Sequence, residues 1–383
     1  MNTSQNVQHK PVEDSILITM FLGGDVMTGR GIDQVLPHPN DPVIHEPYME
    51  SARRYVDLAI RANGPIQQPV SFAYIWGDAL VELERIGPDL RIVNLETSIT
   101  NSDDYWEGKG INYRMHPENI PCLTAAGIDY CALANNHILD WGYTGLIETL
   151  ETLGKADIEY GGAGRDKKEA ETPAVLDVVG KGRVIVFSYG TATSGIPSSW
   201  VATNDRPGVN LIERFSDQAV RSVKAEVEKF KQRGDIVVVS IHWGDNWGYS
   251  IPPRQRQFAH RLIDQAGVDV IHGHSSHHVK GIEVYRDKLI IYGCGDFLND
   301  YEGIGGYKEY RADLTLMYFV SVNPATGKLA GLQMTPTRIR NFRIHRAPET
   351  DARWLQDKLN REGQRLGTRV ILNRMGTLTL HWD

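Results

Sequence analysis

At 383 residues, 41% of them hydrophobic, the chain can bury a large core, as one big α/β domain or two smaller ones. Its 41 Lys and Arg against 48 Asp and Glu give a net charge of −7, which offers no electrostatic footprint for nucleic acid or an anionic membrane, so any anionic substrate must be caught locally. Cys122, Cys131 and Cys294 have no CxxC spacing and sit in apolar segments, which favours core thiols in a reduced, cytoplasmic setting over a disulfide framework.

Residues 1–15 are polar and mixed in charge, without the basic start and small-residue cleavage site of a signal peptide, and the apolar run 16–22 is too short to span a bilayer. That run reads as a first buried strand, ending just before Asp25. Residues 37–69, with scattered prolines and a helical patch over 51–62, read as an insertion, either a lid or a surface excursion. Helical periodicity over 77–86 precedes a strand over 90–95, and a helix over 119–126 precedes a strand over 128–134. A helix over 144–153 and a strand over 184–189 follow. Ser216 caps a helix over 217–231 that runs out before Gly234, and Gly267 ends a helix over 254–266. These two helices alternate with strands over 236–241 and 268–271, and the alternation implies a layered α/β sheet. Beyond the histidine cluster the pattern changes to hairpins, with strands over 282–285, 289–292, 314–322 and 329–337. Their turns are Arg286-Asp287 and the stretch from Pro324 to Gly327. A helix over 351–365 and a strand over 368–372 close the chain. With no repeat, low-complexity linker or composition break, residues 1–383 read as one domain, with a motif core over 16–299 and appended strands and a helix over 300–383.

Polar residues recur just after the apolar runs: Asp25, Glu96, Asn136 and His137, His242, and then His272, His274, His277 and His278. Ligands of open α/β sheets bind beyond the carboxyl ends of the strands, where such residues converge. Carboxylate, carboxamide and neutral imidazole together suit Mn²⁺, Fe²⁺ or Zn²⁺, whereas Ca²⁺ and Mg²⁺ favour oxygen alone and structural zinc recruits thiolates. The loops Gly161-Gly162-Ala163-Gly164 and Gly303-Ile304-Gly305-Gly306 match neither a Walker nor a dinucleotide fingerprint and read as turns.

The blocks Gly24-Asp25-Val26-Met27-Thr28-Gly29-Arg30, Asn94-Leu95-Glu96-Thr97, Asn135-Asn136-His137-Ile138-Leu139-Asp140, His242-Trp243-Gly244 and Gly273-His274-Ser275-Ser276-His277 resemble the ordered motifs of the CapA family. That family is named for poly-γ-glutamate capsule synthesis and falls within the calcineurin-like metallophosphoesterase superfamily. The resemblance implies a four-layer α/β/β/α fold with two divalent ions between the sheet edges. Asp25 would bind the first ion, Glu96 would bridge both, Asn136, His242 and His274 would hold the second, and His277 would complete the first site. His137 would be the general acid or a stabiliser of charge. Met27 stands where the superfamily usually has a histidine ligand, and a thioether is a poor ligand for Mn²⁺ or Zn²⁺, so a weaker first site is expected. Glu96 replaces the usual bridging Asp, and the last motif is one residue longer than usual.

Two cations about 3.5–4 Å apart lower the pKa of a bridging water and supply hydroxide at neutral pH. The expected activity is therefore that of a metal-dependent hydrolase acting on a phosphoester or on an amide of a glutamyl polymer or peptide. Arg30 is the candidate counter-charge for a substrate phosphate or carboxylate, with a structural salt bridge as its other reading. Asn94, Asp140 and Asp296 are expected to orient the ligands, and Trp243 and Trp247 to wall the pocket or simply pack. The alternative is a catalytically inactive, metal-containing binding protein or an accessory of capsule-polymer synthesis. The expected partner is a small molecule, a peptide or a polyanionic polymer, with no nucleic acid and no integral membrane segment.

Overall fold

The computed structural model describes residues 16–383, so the absence of a leader expected from residues 1–15 lies outside the described residues. Two sheets stack face to face. The first runs in the order Thr368–Leu372, Leu378–Trp382, Lys328–Arg340, Leu314–Asn323, Ile18–Val26, Leu90–Leu95, Tyr130–Ala132, Glu159–Gly161. The second runs Ala174–Val178, Gly182–Thr191, Ile236–His242, Val270–His274, Lys288–Ile291, Ile282–Tyr285. Met20, Leu22 and Ile92 of the first sheet meet Val184, Val238 and Val270 of the second in a shared apolar layer. The alternate residues point outward. Phe21 and Val93 pack with Leu146 and Leu150 of the helix Gly142–Lys155. Val237 and Val239 pack with Val223 of Asp217–Phe230 and with Phe258 and Leu262 of Pro253–Ala266. The result is the expected α/β/β/α sandwich, and it explains why the central strands read as continuous apolar runs: both of their faces are covered.

Local chemistry sets the element ends. Ser216 Oγ accepts from the Ala219 N–H at 3.2 Å, and Gly267 closes its helix in the left-handed region at φ +70. Arg286 and Asp287 both take positive φ, +50 and +61, as a tight hairpin turn between Ile282–Tyr285 and Lys288–Ile291 requires. Two expectations need correction, and one strand was not anticipated. The helix expected over 119–126 is instead a turn at Pro117–Asn119 and a short helix Pro121–Thr124, each started by a proline that cannot donate to a preceding turn. The strand expected over 128–134 spans only Tyr130–Ala132: Leu133 N–H still donates to the Gly161 carbonyl, and the chain then turns as Asn135 N–H donates to the Leu133 carbonyl. The edge strand Ala174–Val178 was missed, since its alternation of buried and exposed residues is only five residues long. The 37–69 insertion carries a hairpin, Val43–Glu46 with Met49–Ser51, and the helix Arg53–Asn63. It is anchored by buried Glu46 and Tyr55. All three cysteines are buried and free. Among the described residues no helix is long and apolar enough to cross a membrane.

Candidate metal centre

Strand register gathers the polar residues. Parallel pairing sets Asp25 level with Asn94 on one side and with Asp296 on the other. In the second sheet it sets His242 level with His274. Gly24 permits the close approach of the Asp296 segment: a Cβ there would lie 1.8 Å from the Gly295 carbonyl oxygen. Ser275, beside His274, is held at φ +102, a strained value for a residue with a side chain.

Two sets of potential ligand atoms meet at one carboxylate. Asp25, His242 and His274 form the first set and Asp25, His277 and Asp296 the second, with the ligand atoms of each set within 4.8 Å of one another. His242 Nδ1 and His274 Nδ1 face each other at 2.8 Å, and Asp25 Oδ1 lies 4.0 Å from the latter. His277 Nδ1 lies 2.9 Å from Asp296 Oδ1. Asn136 Oδ1 sits 2.9 Å from His242 Nε2, and Glu96 Oε1 lies 3.6 Å from the same nitrogen. The sequence-predicted residues Asp25, Glu96, Asn136, His242, His274 and His277 thus come together. Asp25 is common to both three-residue sets, while Glu96, the bridging residue implied by the resemblance, stands beside them with its Oε1 against His242 Nε2. Asp296, expected only to orient a histidine, sits among the ligand atoms themselves. Asn94 Nδ2 ties Asp25 to Glu96, at 2.8 Å and 2.5 Å, and is itself held by Asn135 at 3.1 Å.

The remaining histidines are accounted for otherwise. His272 Nε2 meets the Gly23 carbonyl at 2.8 Å and its Nδ1 meets Ser240, whose hydroxyl also contacts His274 Nε2 at 2.9 Å. His278 Nδ1 faces the Val279 carbonyl and its ring stacks on Tyr310. Met27 is 2% exposed within the apolar layer between the first sheet and its helices. It packs there as a hydrophobe.

The electrostatics of this cluster call for a cation. Burial, then the carboxylate of Asp296, pushes Asp25 up to about 8, and burial followed by Asp25 raises Glu96 well above the usual carboxylate range. Among the described residues none of Asp25, Glu96 and Asp296 forms an ion pair with Lys or Arg, and Asp25 Oδ2 is buried with no hydrogen-bond partner. Burial holds His242 and His274 well below their usual value, in the neutral, lone-pair form that metals take. Mixed N and O donors fit a first-row divalent ion, and the orphaned carboxylate oxygen supplies the unmet acceptor.

His137 lies beside the cluster, its Nε2 4.0 Å from Glu96 Oε1. Its Nδ1 is 2.6 Å from Asp140 Oδ2, close enough to a carboxylate to place the ring hydrogen on Nδ1 and leave Nε2 facing the centre. Tyr113 stacks on the ring at 3.9 Å. Lys109, which no motif announced, joins them: its Nζ lies 2.5 Å from Asp140 Oδ1 and 3.0 Å from His137 Nδ1. Burial, opposed by Asp140 and reinforced by Lys109, takes His137 down to about 4, so it is neutral at pH 7. Trp247 reaches the centre, 5.2 Å from the His277 ring, whereas Trp243 is 2% exposed and packs on Tyr292.

Of the two readings of Arg30, counter-charge or structural salt bridge, the internal ion pairs favour the second. Arg30 is 4% exposed; Nη1 donates to Glu46 Oε1 at 2.8 Å and to the Tyr55 hydroxyl at 2.9 Å, Nε donates to Asp300 Oδ2 at 3.1 Å, and Nη2 also donates to Asp300. Two buried carboxylates already answer its charge, leaving none for a substrate anion. Arg30→Met, similar in length and uncharged, should strand both carboxylates and cost about 3–5 kcal/mol of unfolding free energy. Urea denaturation followed by tryptophan fluorescence reads this directly, and an unshifted midpoint would return Arg30 to the pool of substrate ligands.

The sequence profile of a family described as bacterial capsule synthesis protein PGA_cap matches residues 19–301, which hold every residue of the cluster. A probable polyglutamine synthesis accessory protein of Mycobacterium tuberculosis is 49% identical over 356 residues, covering 93% of each chain. The capsule biosynthesis protein CapA of Bacillus anthracis is 30% identical over 297 residues, 77% of this chain and 62% of that one. The PGA biosynthesis protein CapA of Bacillus subtilis is 27% identical over 338 residues, 86% and 73%. A solved phosphatase from Mycoplasma pneumoniae covers 84% of this chain and 94% of its own at 12% identity and TM-score 0.46, too distant to carry chemistry. The profile match across most of the chain and the 49% relative agree with the family expected from the motifs, and the chain belongs to the bacterial capsule synthesis (PGA_cap, CapA-like) family.

Proposed function

We propose that this protein is a metal-dependent hydrolase of the CapA branch, acting on an amide or phosphoester of an anionic polymer or peptide. The observation that carries the reading is the buried trio of Asp25, Glu96 and Asp296, unpaired by any Lys or Arg among the described residues, with the neutral imidazoles of His242 and His274 beside it and His277 against Asp296. Such a grouping has a high electrostatic cost without cations. Asp25, His242 and His274 would hold one divalent ion and Asp25, His277 and Asp296 another, with Glu96 and Asn136 alongside. Cations bound there supply Lewis acidity, acidifying water and drawing electron density from the bond under attack.

The protein's own groups divide the remaining work. Asp140 fixes the His137 ring through Nδ1 and Lys109 fixes Asp140, so Nε2 is presented to the cluster. Neutral at pH 7, Nε2 accepts the proton that the attacking water loses and returns it to the leaving alkoxide or amine; water is added across the bond with no net proton consumed. Burial of His137, at 7% exposure, keeps bulk water from short-circuiting that transfer. A second reading, that of an accessory that binds polymer without turnover, is favoured by the name of the M. tuberculosis relative, a probable polyglutamine synthesis accessory protein. A passive binder would have no use for the His137–Asp140–Lys109 chain.

Elemental analysis of the purified protein, followed by hydrolysis assays on a phosphomonoester, a phosphodiester, a peptide and a γ-glutamyl polymer with added Mn²⁺ or Zn²⁺, tests the proposal. Metal-dependent turnover of one class is expected. Protein that neither contains nor takes up these ions would sink it.

A further inference from the structure

Next to the two ligand sets lies a cavity of about 710 Å³, in the size range of small-ligand sites. His277 and Asn299 line it on the side of the metal centre, and Tyr113, the ring stacked on His137, lines it beside them. Arg30, Asn63, Asn246 and Trp247 also contribute, and the rest of the wall comes from the loop after Tyr301 and the end of the strand Lys328–Arg340, which lie beyond the 19–301 stretch matched by the family profile. Apart from Arg30, the cationic side chains of this wall therefore lie outside the stretch that carries the motifs.

Its charge runs against that of the chain. Five cationic side chains line the cavity against two carboxylates, in a protein of net charge −7. Arg30 is answered by Glu46 and Asp300, and Arg311 donates to both oxygens of Asp313 at 2.7 and 2.8 Å. Glu302 is occupied by the backbone N–H groups of Asn341 and Phe342, both at 2.6 Å. Three cations remain. Lys308 and Arg340 are exposed and have no carboxylate partner among the described residues. Arg338 reaches Asp351 only at 3.4 Å, and its Nε is buried with no partner. Arg338 and Arg340 are two residues apart on one strand and so share a face.

The rest of the lining suits an amide-linked chain. Asn246 offers its carboxamide and Asn63 its Oδ1, the glycine-rich run 303–306 exposes backbone, and Trp247 stacks on Tyr307 at 4.4 Å as an apolar platform. Guanidinium forks take carboxylates in a bidentate manner, and a locally positive, low-dielectric cleft concentrates anions.

From this juxtaposition we infer that Lys308, Arg338 and Arg340 form a carboxylate-reading subsite, which holds successive acidic groups of an amide-linked chain while the neighbouring segment lies over His277. The inference rests on the proposed hydrolase for what happens at the metal centre; the binding itself is separate and measurable without turnover.

Fluorescence anisotropy with a dye-labelled oligoglutamate peptide tests it, on protein as purified and on chelator-treated protein. Binding is expected in both, weakening with added salt, and absent for a matched oligoglutamine peptide. Arg338→Gln and Arg340→Gln should each weaken it roughly tenfold and Lys308→Gln somewhat less, as expected for hydrogen bonds to charged groups, with circular dichroism and metal content unchanged. Equal binding of the oligoglutamine, or binding indifferent to all three substitutions, would overturn the subsite. Inorganic polyphosphate displacing the peptide at lower concentration than unlabelled oligoglutamate would overturn the assignment to carboxylates. A protein that binds the peptide through these residues yet hydrolyses nothing would keep the subsite and remove the hydrolase.

Discussion

Asp25→Asn is expected to strip metal from both ligand sets at once, whereas His274→Ala and His277→Ala should each weaken one. Asp25 is the carboxylate common to the two groups, and its Oδ2 has no other hydrogen-bond partner. The amide keeps the volume and loses the charge. Its effect on affinity should exceed the ~10–100-fold that removal of a supporting residue costs in metal sites. Calorimetric titration with Mn²⁺ or Zn²⁺ would show the loss of both sites, and two intact sites in the variant would return the shared role to Glu96. The same titration carries a pH signature. With Asp25 raised from 3.8 to about 8, an ion binding below pH 8 must displace its proton, so apparent affinity rises with pH toward about 8 and protons are released. In the metal-free protein the sign is the reverse. Stability contributed by protonated Asp25 is fully present below pH 3.8 and is lost as pH rises through about 8. His242 and His274, held below their usual 6.5, contribute stability that is present above that value and lost as pH falls. Comparing wild type with Asp25→Asn isolates the first trend from the second.

His137→Ala should leave metal content unchanged and lower turnover by ~10²–10⁴-fold on whichever substrate the assays identify, the usual range for loss of a positioned proton carrier. His137 stands outside both ligand sets, so the ions do not depend on it, while its Nε2 faces the cluster. Lys109→Met should act in the same direction and more weakly, since it removes the cation that fixes Asp140 without removing the imidazole. Full activity in His137→Ala would refute the proton-carrier role.

Much of the fold and much of the centre were legible in the sequence because both rest on local periodicity. Strands buried on two faces are continuous apolar runs, and each parallel strand delivers its next residues to the same sheet edge. That is why Asp25, Glu96, Asn136, His242 and His274 could be named from their positions after such runs, and why Ser216 and Gly267 marked helix ends. What was not legible depends on contacts between distant segments. Asp296 follows a glycine in a stretch with no ligand pattern, and only the pairing of Asp296–Leu298 with Ile18–Val26 sets it level with Asp25. Lys109 lies in an irregular loop that meets Asp140 only in the folded chain. The two readings of Arg30 stayed open because Glu46 and Asp300, 16 and 270 residues away, do not announce themselves as its partners.

The sequence by itself determined the layered α/β architecture, the family and the inventory of nitrogen and oxygen donors at one sheet edge, since periodicity and motif order are properties of the chain read in line. Only the tertiary structure showed that Asp25 is common to both candidate ligand sets, that Met27 packs in the apolar layer, that Arg30 is paired internally, and that a cationic wall from the C-terminal third lies beside the cluster. The physical reason is that charge compensation and coordination act over a few ångströms in space, and the residues that satisfy them are separated by tens to hundreds of positions along the chain.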